Sequence, residues 1–283
     1  MKKVGVVGAG VMGAEIAYVV ASNLDTKVYV RDISEEFLAK GRATIERVAK
    51  KAVEKGKATE QEKATWLERL NFTLNLDDLA DADVVIEAVS ENIDLKRKVF
   101  AELDSICTLA QFLASNTSGL PITVIAAATK NPERVIGTHF FNPASIMKLV
   151  EIVTGYETSA ETLKKVQEFC TSLGKETVVS KDYPGFISTR IGQAYICDAI
   201  RCLEQGVGTV EDIDRACRLA YNHPMGPLEL ADLIGLDTEL MIMESLSKEY
   251  GEAFRPTPLV KQMVAAGRLG RKTGKGFYDY TKR

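Results

Sequence analysis

Cysteine, histidine and net charge are all low in this chain, with five cysteines, two histidines and a balance close to neutral, and these shortages narrow the explanations open to it. The 283 residues include five cysteines, Cys107, Cys170, Cys197, Cys202 and Cys217. The number is odd and no two are spaced C-x-x-C, so neither a disulfide framework nor a zinc site is signalled, and no metal is expected. Reduced thiols acting as small core hydrophobes fit a reducing, cytoplasmic compartment. Lysine plus arginine number 36 against 39 aspartates and glutamates, a net charge of −3. A nucleic-acid binder would usually be basic. No run of 18 apolar residues appears, so no membrane span is expected. The apolar run Val4-Gly5-Val6-Val7 is too short for a signal-peptide core and leads into a glycine loop. What is present is ordinary globular chemistry, 46% apolar and 27% charged, at a length that suggests about two domains.

Short apolar runs alternate with longer amphipathic ones over the first two-thirds of the chain. Lys3–Val7, Lys27–Arg31, Asp83–Val89, Phe112–Ser115, Val135–Thr138 and Leu149–Val153 read as strands. Between them, Gly13–Asn23, Ser34 to about Lys57, and Thr59–Arg69 read as helices. This alternation predicts a Rossmann-type, doubly wound, mainly parallel sheet. The Pro184-Gly185 pair punctuates the pattern. Beyond it helical periodicity dominates, over Phe186–Gln205, Val210–Leu219, Pro227–Ile234 and Asp237–Tyr250. The expected division is residues 1–183 and a smaller helical domain over 184–283, whose size and apolar character suggest burial against a partner chain.

Gly8-Ala9-Gly10-Val11-Met12-Gly13 is a G-x-G-x-x-G loop that follows a strand and opens a helix. Gly8 makes the tight turn, Gly10 lets backbone approach a pyrophosphate, and Gly13 lets helix pack on strand. The free N–H groups at the helix start, from Val11 and Met12 onward, suit phosphates. An acid should follow the second strand, and Asp32 lies 19 residues after Gly13. Its carboxylate repels a 2′-phosphate, which favours NAD over NADP, although the adjacent Arg31 weakens the inference. The alternative is a structural glycine turn with a solvated aspartate.

Hydride transfer from an alcohol needs a base for the hydroxyl proton. His139, in Gly137-Thr138-His139-Phe140-Phe141-Asn142-Pro143, falls near the carboxyl end of an expected strand, where open α/β sheets bind ligands. Histidine is the side-chain type that changes charge near neutral pH. Glu151 sits in the apolar run Leu149-Val150-Glu151-Ile152-Val153, where a carboxylate is costly unless paired. A partner histidine would account for it. The alternatives are a satisfied core histidine and a strand residue on a solvated face. Asn142 and Ser118 fall near strand ends, where substrate or nicotinamide binding and turn chemistry are both open.

The ordered segments Ser115-Asn116-Thr117-Ser118, His139–Pro143, Met147–Glu151, Pro184-Gly185-Phe186, Asn222–Pro227 and Gly270–Tyr278 strongly resemble the short-chain L-3-hydroxyacyl-CoA dehydrogenase family, its bacterial 3-hydroxybutyryl-CoA branch above all. The resemblance covers essentially the whole chain. It implies NAD-dependent, reversible oxidation of a short (S)-3-hydroxyacyl-CoA, with His139 as base and Glu151 as its partner. It also implies that Ser118 meets the substrate oxygen and helps seat the cofactor. Asn142 would contact the nicotinamide side, Glu91 and Lys96 would line the NAD site, and Lys272 would reach the cofactor. The second domain would be all-helical, contribute to the substrate cleft and mediate a homodimer. One position departs from the pattern. The family usually has Asn then Arg two residues after Pro-Gly-Phe, whereas here Thr189 precedes Arg190. Threonine lacks the amide's two donors and its reach. Positioning of the substrate near its reacting carbons, or the acyl group itself, is therefore expected to differ from the usual.

Arg47, Lys51 and Lys55 recur every four residues and share one helix face. With Lys40, Arg42, Lys50 and Lys57 they make seven cations in eighteen residues. Such a cluster could receive the phosphates of coenzyme A, as the resemblance also implies, or be a solvated face. It lacks the interleaved aromatics of a nucleic-acid surface. His223 precedes Pro224 and reads as structural. Two rivals remain open: a dehydrogenase of a free hydroxy or sugar acid, and a non-catalytic NAD-binding protein.

Overall fold

The computed structural model describes residues 1–281. The chain divides into two compact units that meet between Phe186 and Ile187. The expected division lay three residues earlier. Gly185 and Phe186 both have positive φ, 77° and 51°, and Phe186 is buried with the apolar core of the first unit. The Pro-Gly turn therefore belongs to what precedes it.

The first unit is an eight-stranded sheet flanked by helices. In chain order it contains β1 (Lys3–Val7), α1 (Val11–Asn23), β2 (Lys27–Arg31), α2 (Glu35–Glu54), α3 (Glu60–Glu68), β3 (Leu70–Thr73) and β4 (Val84–Glu87). Then follow α4 (Ile93–Ile106), β5 (Leu113–Ser115), α5 (Ile122–Ala126), β6 (Val135–Phe140), β7 (Leu149–Thr154), α6 (Ala160–Ser172) and β8 (Glu176–Lys181). The strand order is β3-β2-β1-β4-β5-β6-β7-β8. The first six strands pair in parallel, β7 runs antiparallel to β6, and β8 is parallel to β7. The doubly wound, mainly parallel sheet expected from the alternation is present. Chain order reverses between β1 and β4, which opens a crevice at the carboxyl ends of those strands.

The central strands are apolar because both faces are covered. Val4 and Val6 pack with α1, α2 and α6 on one side, and Val7, Val85 and Leu113 pack with α4 and α5 on the other. Local signals set the helix starts: Ser34 accepts from Phe37 N at 3.3 Å, and Thr59 and Glu62 form a reciprocal capping box before α3. Strands β3 and β8 were not anticipated. Both lie at the sheet edges, β3 with four half-buried residues and β8 with Val178 and Val179 exposed, so neither carries a buried apolar run.

The second unit contains α7 (Ser188–Glu204), α8 (Val210–Tyr221), α9 (Pro227–Ile234), α10 (Leu236–Tyr250) and α11 (Pro258–Ala265) around Ile196, Ile200, Leu228, Leu236, Met243 and Val260. Its last segment wraps a buried aspartate. Asp232 accepts from Phe277 N and Tyr278 N, each at 2.9 Å, and from Tyr280 Oη at 3.1 Å. A Cβ on Gly276 would lie 1.9 Å from Asp232 Oδ1. That contact explains Gly276 within the Gly270–Tyr278 motif. Among the described residues no helix is long and apolar enough to cross a membrane. All five cysteines are free thiols. Burial pushes the Cys107 thiol up to about 11 and Cys170 to about 12, so both stay protonated.

Candidate active site and cofactor cradle

The glycine loop has the shape its composition demands. Gly8 adopts φ 104°, and a Cβ there would meet the Ala88 carbonyl oxygen at 2.6 Å. A Cβ on Gly13 would lie 1.8 Å from the Gly8 oxygen. Both glycines are thus required by packing within the turn. Gly10 differs: nothing lies within 4 Å of its Cβ position. Its missing side chain leaves open space in front of the start of α1. That start has no side-chain cap and no acid in its first turn, and Val11 is 57% exposed. Uncapped backbone donors, the positive dipole end and open space together fit a pyrophosphate. Asp32, directly after β2, accepts from Ala9 N and Ile33 N, each at 2.6 Å. It is half-buried, and carboxylate oxygens retain further lone pairs for ribose hydroxyls. The residues present therefore fit NAD.

His139 and Glu151 are directly opposed cross-strand partners of β6 and β7. Opposed residues in an antiparallel pair project from the same face at close range. Here the imidazole Nδ1 lies 3.2 Å from Glu151 Oε2. Glu151 is fully buried and His139 is 7% exposed. Phe141 packs on the imidazole at 4.3 Å between ring centres, and Phe186 meets it edge-on at 6.2 Å. With Nδ1 turned to the carboxylate, Nε2 is the nitrogen left for a substrate proton. Asn116, after β5, anchors the end of β6 by accepting from Phe140 N at 3.0 Å. Asn142 follows in the exposed loop, joined to Pro143 by a cis peptide bond.

A second buried carboxylate stands at the end of β4. Glu87 is fully buried and accepts from Lys96 Nζ at 2.6 Å, Val89 N at 2.6 Å and Ser115 Oγ at 2.7 Å. Lys96 is also fully buried, and its ammonium lies 3.4 Å from Glu91 Oε2. Glu91 accepts from Thr117 Oγ1 and from Ser118 N. Glu91 and Lys96, both expected to line the NAD site, lie against each other, and of the two Glu91 is the one open to solvent. Glu87, Ser115, Asn116, Phe141 and Phe186 were not singled out from the sequence. Glu87 carried the same signal as Glu151, a charge inside an apolar run.

The cationic cluster divides between two environments. Arg47, Lys51, Lys55 and Lys57 line a cavity of about 690 Å³, joined by Lys148 and Lys175. Lys40 pairs instead with Glu36, Lys50 with Glu54, and Arg42 lies over the Phe72 ring. The loop between β6 and β7 forms part of the cavity wall. Glu15 holds it by accepting from Ser145 N and Oγ, each at 3.0 Å, and Lys175 holds it by donating to Ala144 O at 2.6 Å and Met147 O at 2.8 Å. Burial pushes the Lys175 ammonium below the usual lysine range, against the pull of Glu15.

In the second unit, Thr189 lies in the first turn of α7. Lys272 is paired with Asp237 beside Gly235. His223 Nδ1 lies 3.1 Å from Tyr195 Oη, with Tyr221 packed nearby, which suits a structural role.

Residues 3–183 match the NAD binding domain of 3-hydroxyacyl-CoA dehydrogenase, and residues 185–280 match its C-terminal domain. A Deinococcus radiodurans protein named probable 3-hydroxybutyryl-CoA dehydrogenase is 48% identical, over 98% of this chain and 100% of its own. A Bradyrhizobium diazoefficiens protein named 3-hydroxybutyryl-CoA dehydrogenase is also 48% identical, over 99% of this chain and 96% of its own. The crystal structure of (S)-3-hydroxybutyryl-CoA dehydrogenase from Ralstonia eutropha has a TM-score of 0.94 at 44% identity, with 99% of each chain covered. Both halves match, in order, so the chain belongs to the 3-hydroxyacyl-CoA dehydrogenase family and is an NAD-dependent oxidoreductase of (S)-3-hydroxyacyl-CoA.

Proposed function

We propose that the substrate is a short (S)-3-hydroxyacyl-CoA of the 3-hydroxybutyryl type and that His139 is the base that takes its 3-hydroxyl proton. The observation that carries this reading is the buried pair of His139 and Glu151 at 3.2 Å. Proton uptake at Nε2 creates an imidazolium, and Glu151 stabilises that charge through Nδ1 without itself accepting the proton. NAD, when bound, supplies the hydride acceptor. The backbone of Gly8, Gly10, Val11, Met12 and Gly13 would hold its pyrophosphate and Asp32 its ribose. Glu91, Ser118, Asn142 and Lys272 would contact its nicotinamide half, with Lys96 behind Glu91. Ser118 would also donate to the substrate oxygen. Phe141 and Phe186 pack against the imidazole and keep water from it.

Lys51 and Lys55 would receive coenzyme A phosphates, a role supported by the cavity they line with four other cations. We assign the helical unit a share of the substrate cleft and a homodimer interface. Its exposed apolar side chains support the latter, with Ile191, Leu219, Tyr221 and Met241 each more than 60% exposed. Buried, protonated thiols support a reducing, cytoplasmic setting. Thr189 favours a second reading on substrate range: the same chemistry on an acyl group other than the usual one, because a hydroxyl stands where the family has an amide.

The test is a steady-state scan of 3-hydroxyacyl-CoA thioesters and the matching free acids, with NAD and NADP. Turnover of thioesters with NAD alone is expected. His139→Gln abolishes turnover while NADH still binds, and near-normal rates in that variant would reject the assignment. Thr189→Asn shifts the preferred chain length if the second reading holds.

A further inference from the structure

We infer that Glu87 is a positioning residue, which sets the cofactor-facing carboxylate of Glu91 through Lys96 and steadies the Thr117–Ser118 turn. This inference rests on the reading of Glu91 and Ser118 as cofactor and substrate contacts. The chain of contacts is continuous. Glu87 is fully buried at the carboxyl end of β4, directly beside β1 and its glycine loop. Its Oε1 takes both the Lys96 ammonium and Val89 N, while Oε2 takes Ser115 Oγ. Ser115 ends β5, so one carboxylate ties two neighbouring strand ends together. The Ser115 hydroxyl in turn accepts from Thr117 N at 3.3 Å.

Lys96 then carries the constraint outward. Its Nζ sits between Glu87, at 2.6 Å, and Glu91, at 3.4 Å, with Val89 O at 3.3 Å. The ammonium donates to Glu87 and Val89 O and forms an ion pair with Glu91. Glu91 is the half-exposed member, with 45% of its side chain open to solvent. Its Oε1 accepts from Thr117 Oγ1 and from Ser118 N at 3.1 Å. The charge balance explains the arrangement. Two carboxylates surround one buried ammonium, so the buried member neutralises Lys96 and the exposed one keeps negative charge for a ligand donor. Without the pair of Glu87 and Lys96, Glu91 would lose the fixed cation that holds its Oε2. Glu91 would then lose its fixed position and release the Thr117–Ser118 turn.

Glu87→Gln alone leaves a buried ammonium short of charge and risks unfolding. The informative variant is Glu87→Gln with Lys96→Met, which removes both charges and keeps the volume. Neutral replacement of a buried pair is often tolerated. The expected result is a melting temperature within a few degrees of the parent. The NADH Kd, read by fluorescence titration, and the KM for NAD each rise fivefold or more, and kcat with 3-hydroxybutyryl-CoA falls more modestly. A purely structural pair would not move Kd at constant stability. Glu91→Ala is measured in parallel. If Glu91→Ala weakens NADH binding but the double variant binds within twofold of the parent, the positioning role is overturned and the site reading stands. If Glu91→Ala also binds NADH normally, the site reading fails and takes the inference with it. Should the double variant not fold, Glu87→Asp decides, because it keeps the charge but loses the reach. A threefold rise in NADH Kd supports the inference, and an unchanged Kd overturns it.

Discussion

Replacing Glu151 with glutamine separates the catalytic value of the buried carboxylate from its structural cost. The side chain is fully buried and lies 3.2 Å from Nδ1 of His139. When His139 gains a proton, two opposite charges face each other in a poorly solvated site. At an effective dielectric near 20 and a charge separation of about 4 Å, their attraction is about 4 kcal/mol. Glutamine keeps a hydrogen bond to the ring, worth about 1 kcal/mol, but not the charge. The net loss is then about 2–3 kcal/mol, or roughly 30- to 150-fold in the rate of the proton-coupled step. Stability should move the other way or not at all, since the variant no longer keeps a carboxylate out of water. Single-turnover NADH formation at saturating NAD and 3-hydroxybutyryl-CoA measures the first quantity, and thermal unfolding measures the second. A slower, equally stable protein is expected. A single-turnover rate within threefold of the parent would refute the reasoning, because Glu151 would then contribute nothing to the imidazolium.

Lys51→Glu with Lys55→Glu reverses two charges on the cavity wall and should raise the KM for 3-hydroxybutyryl-CoA at least tenfold, leaving the KM for NAD within twofold. A truncated thioester without the nucleotide end should be turned over equally by variant and parent, and equal damage to both substrates would remove the phosphate role. Glu239 is 1% exposed in the helical unit, and burial pushes its pKa up to about 7, against the opposing effect of the neighbouring Gln193 amide. The folded state thus binds more protons than the unfolded state between about pH 4.5 and 7, so stability falls by up to about 3 kcal/mol across that window and levels off above it. Glu239→Gln should flatten this dependence and raise the unfolding midpoint at pH 8 far more than at pH 5; an equal effect at both values would contradict the burial argument.

Sequence patterns revealed the elements whose signals are local. The central strands read as apolar runs because a two-sided sheet interior admits little else, and β2 reads by its alternation, with Val28 and Val30 buried. Gly8, Gly10 and Gly13 were legible because each position tolerates no larger residue without a clash or a lost approach. Strands β3 and β8 lie at the edges, where exposure erases the pattern. The cationic cluster shows a different limit. Spacing correctly grouped Arg47, Lys51 and Lys55 on one face, but it could not separate them from Lys40 and Lys50, which pair within α2. Nor could it bring in Lys148 and Lys175, which reach the same cavity from about a hundred residues away. Glu151 was found because a carboxylate in an apolar run needs a partner and only two histidines exist. Glu87 posed the same question, but the chain has many lysines, and its partner nine residues on reads as one more surface cation.

Three of the carboxylates at the carboxyl edge of the sheet, Asp32, Glu87 and Glu151, have different partners. Asp32 is held by two backbone N–H groups, Glu87 by an ammonium, a hydroxyl and a backbone N–H, and Glu151 by an imidazole. A backbone N–H is neutral and offers a hydrogen bond of fixed direction, and Glu87 is tied to three donors from three separate segments. Both arrangements place a carboxylate rather than move a proton. An imidazole is the one partner type whose charge changes readily near neutrality. A carboxylate facing it therefore meets a neutral ring in one state and a cation in the other, and it interacts much more strongly with the second. Catalysis requires an interaction that strengthens as the reaction proceeds. Of these carboxylates, Glu151 faces the one partner type that can change in that way, which is why the proposed proton transfer is placed at His139 and Glu151 rather than at Asp32 or Glu87.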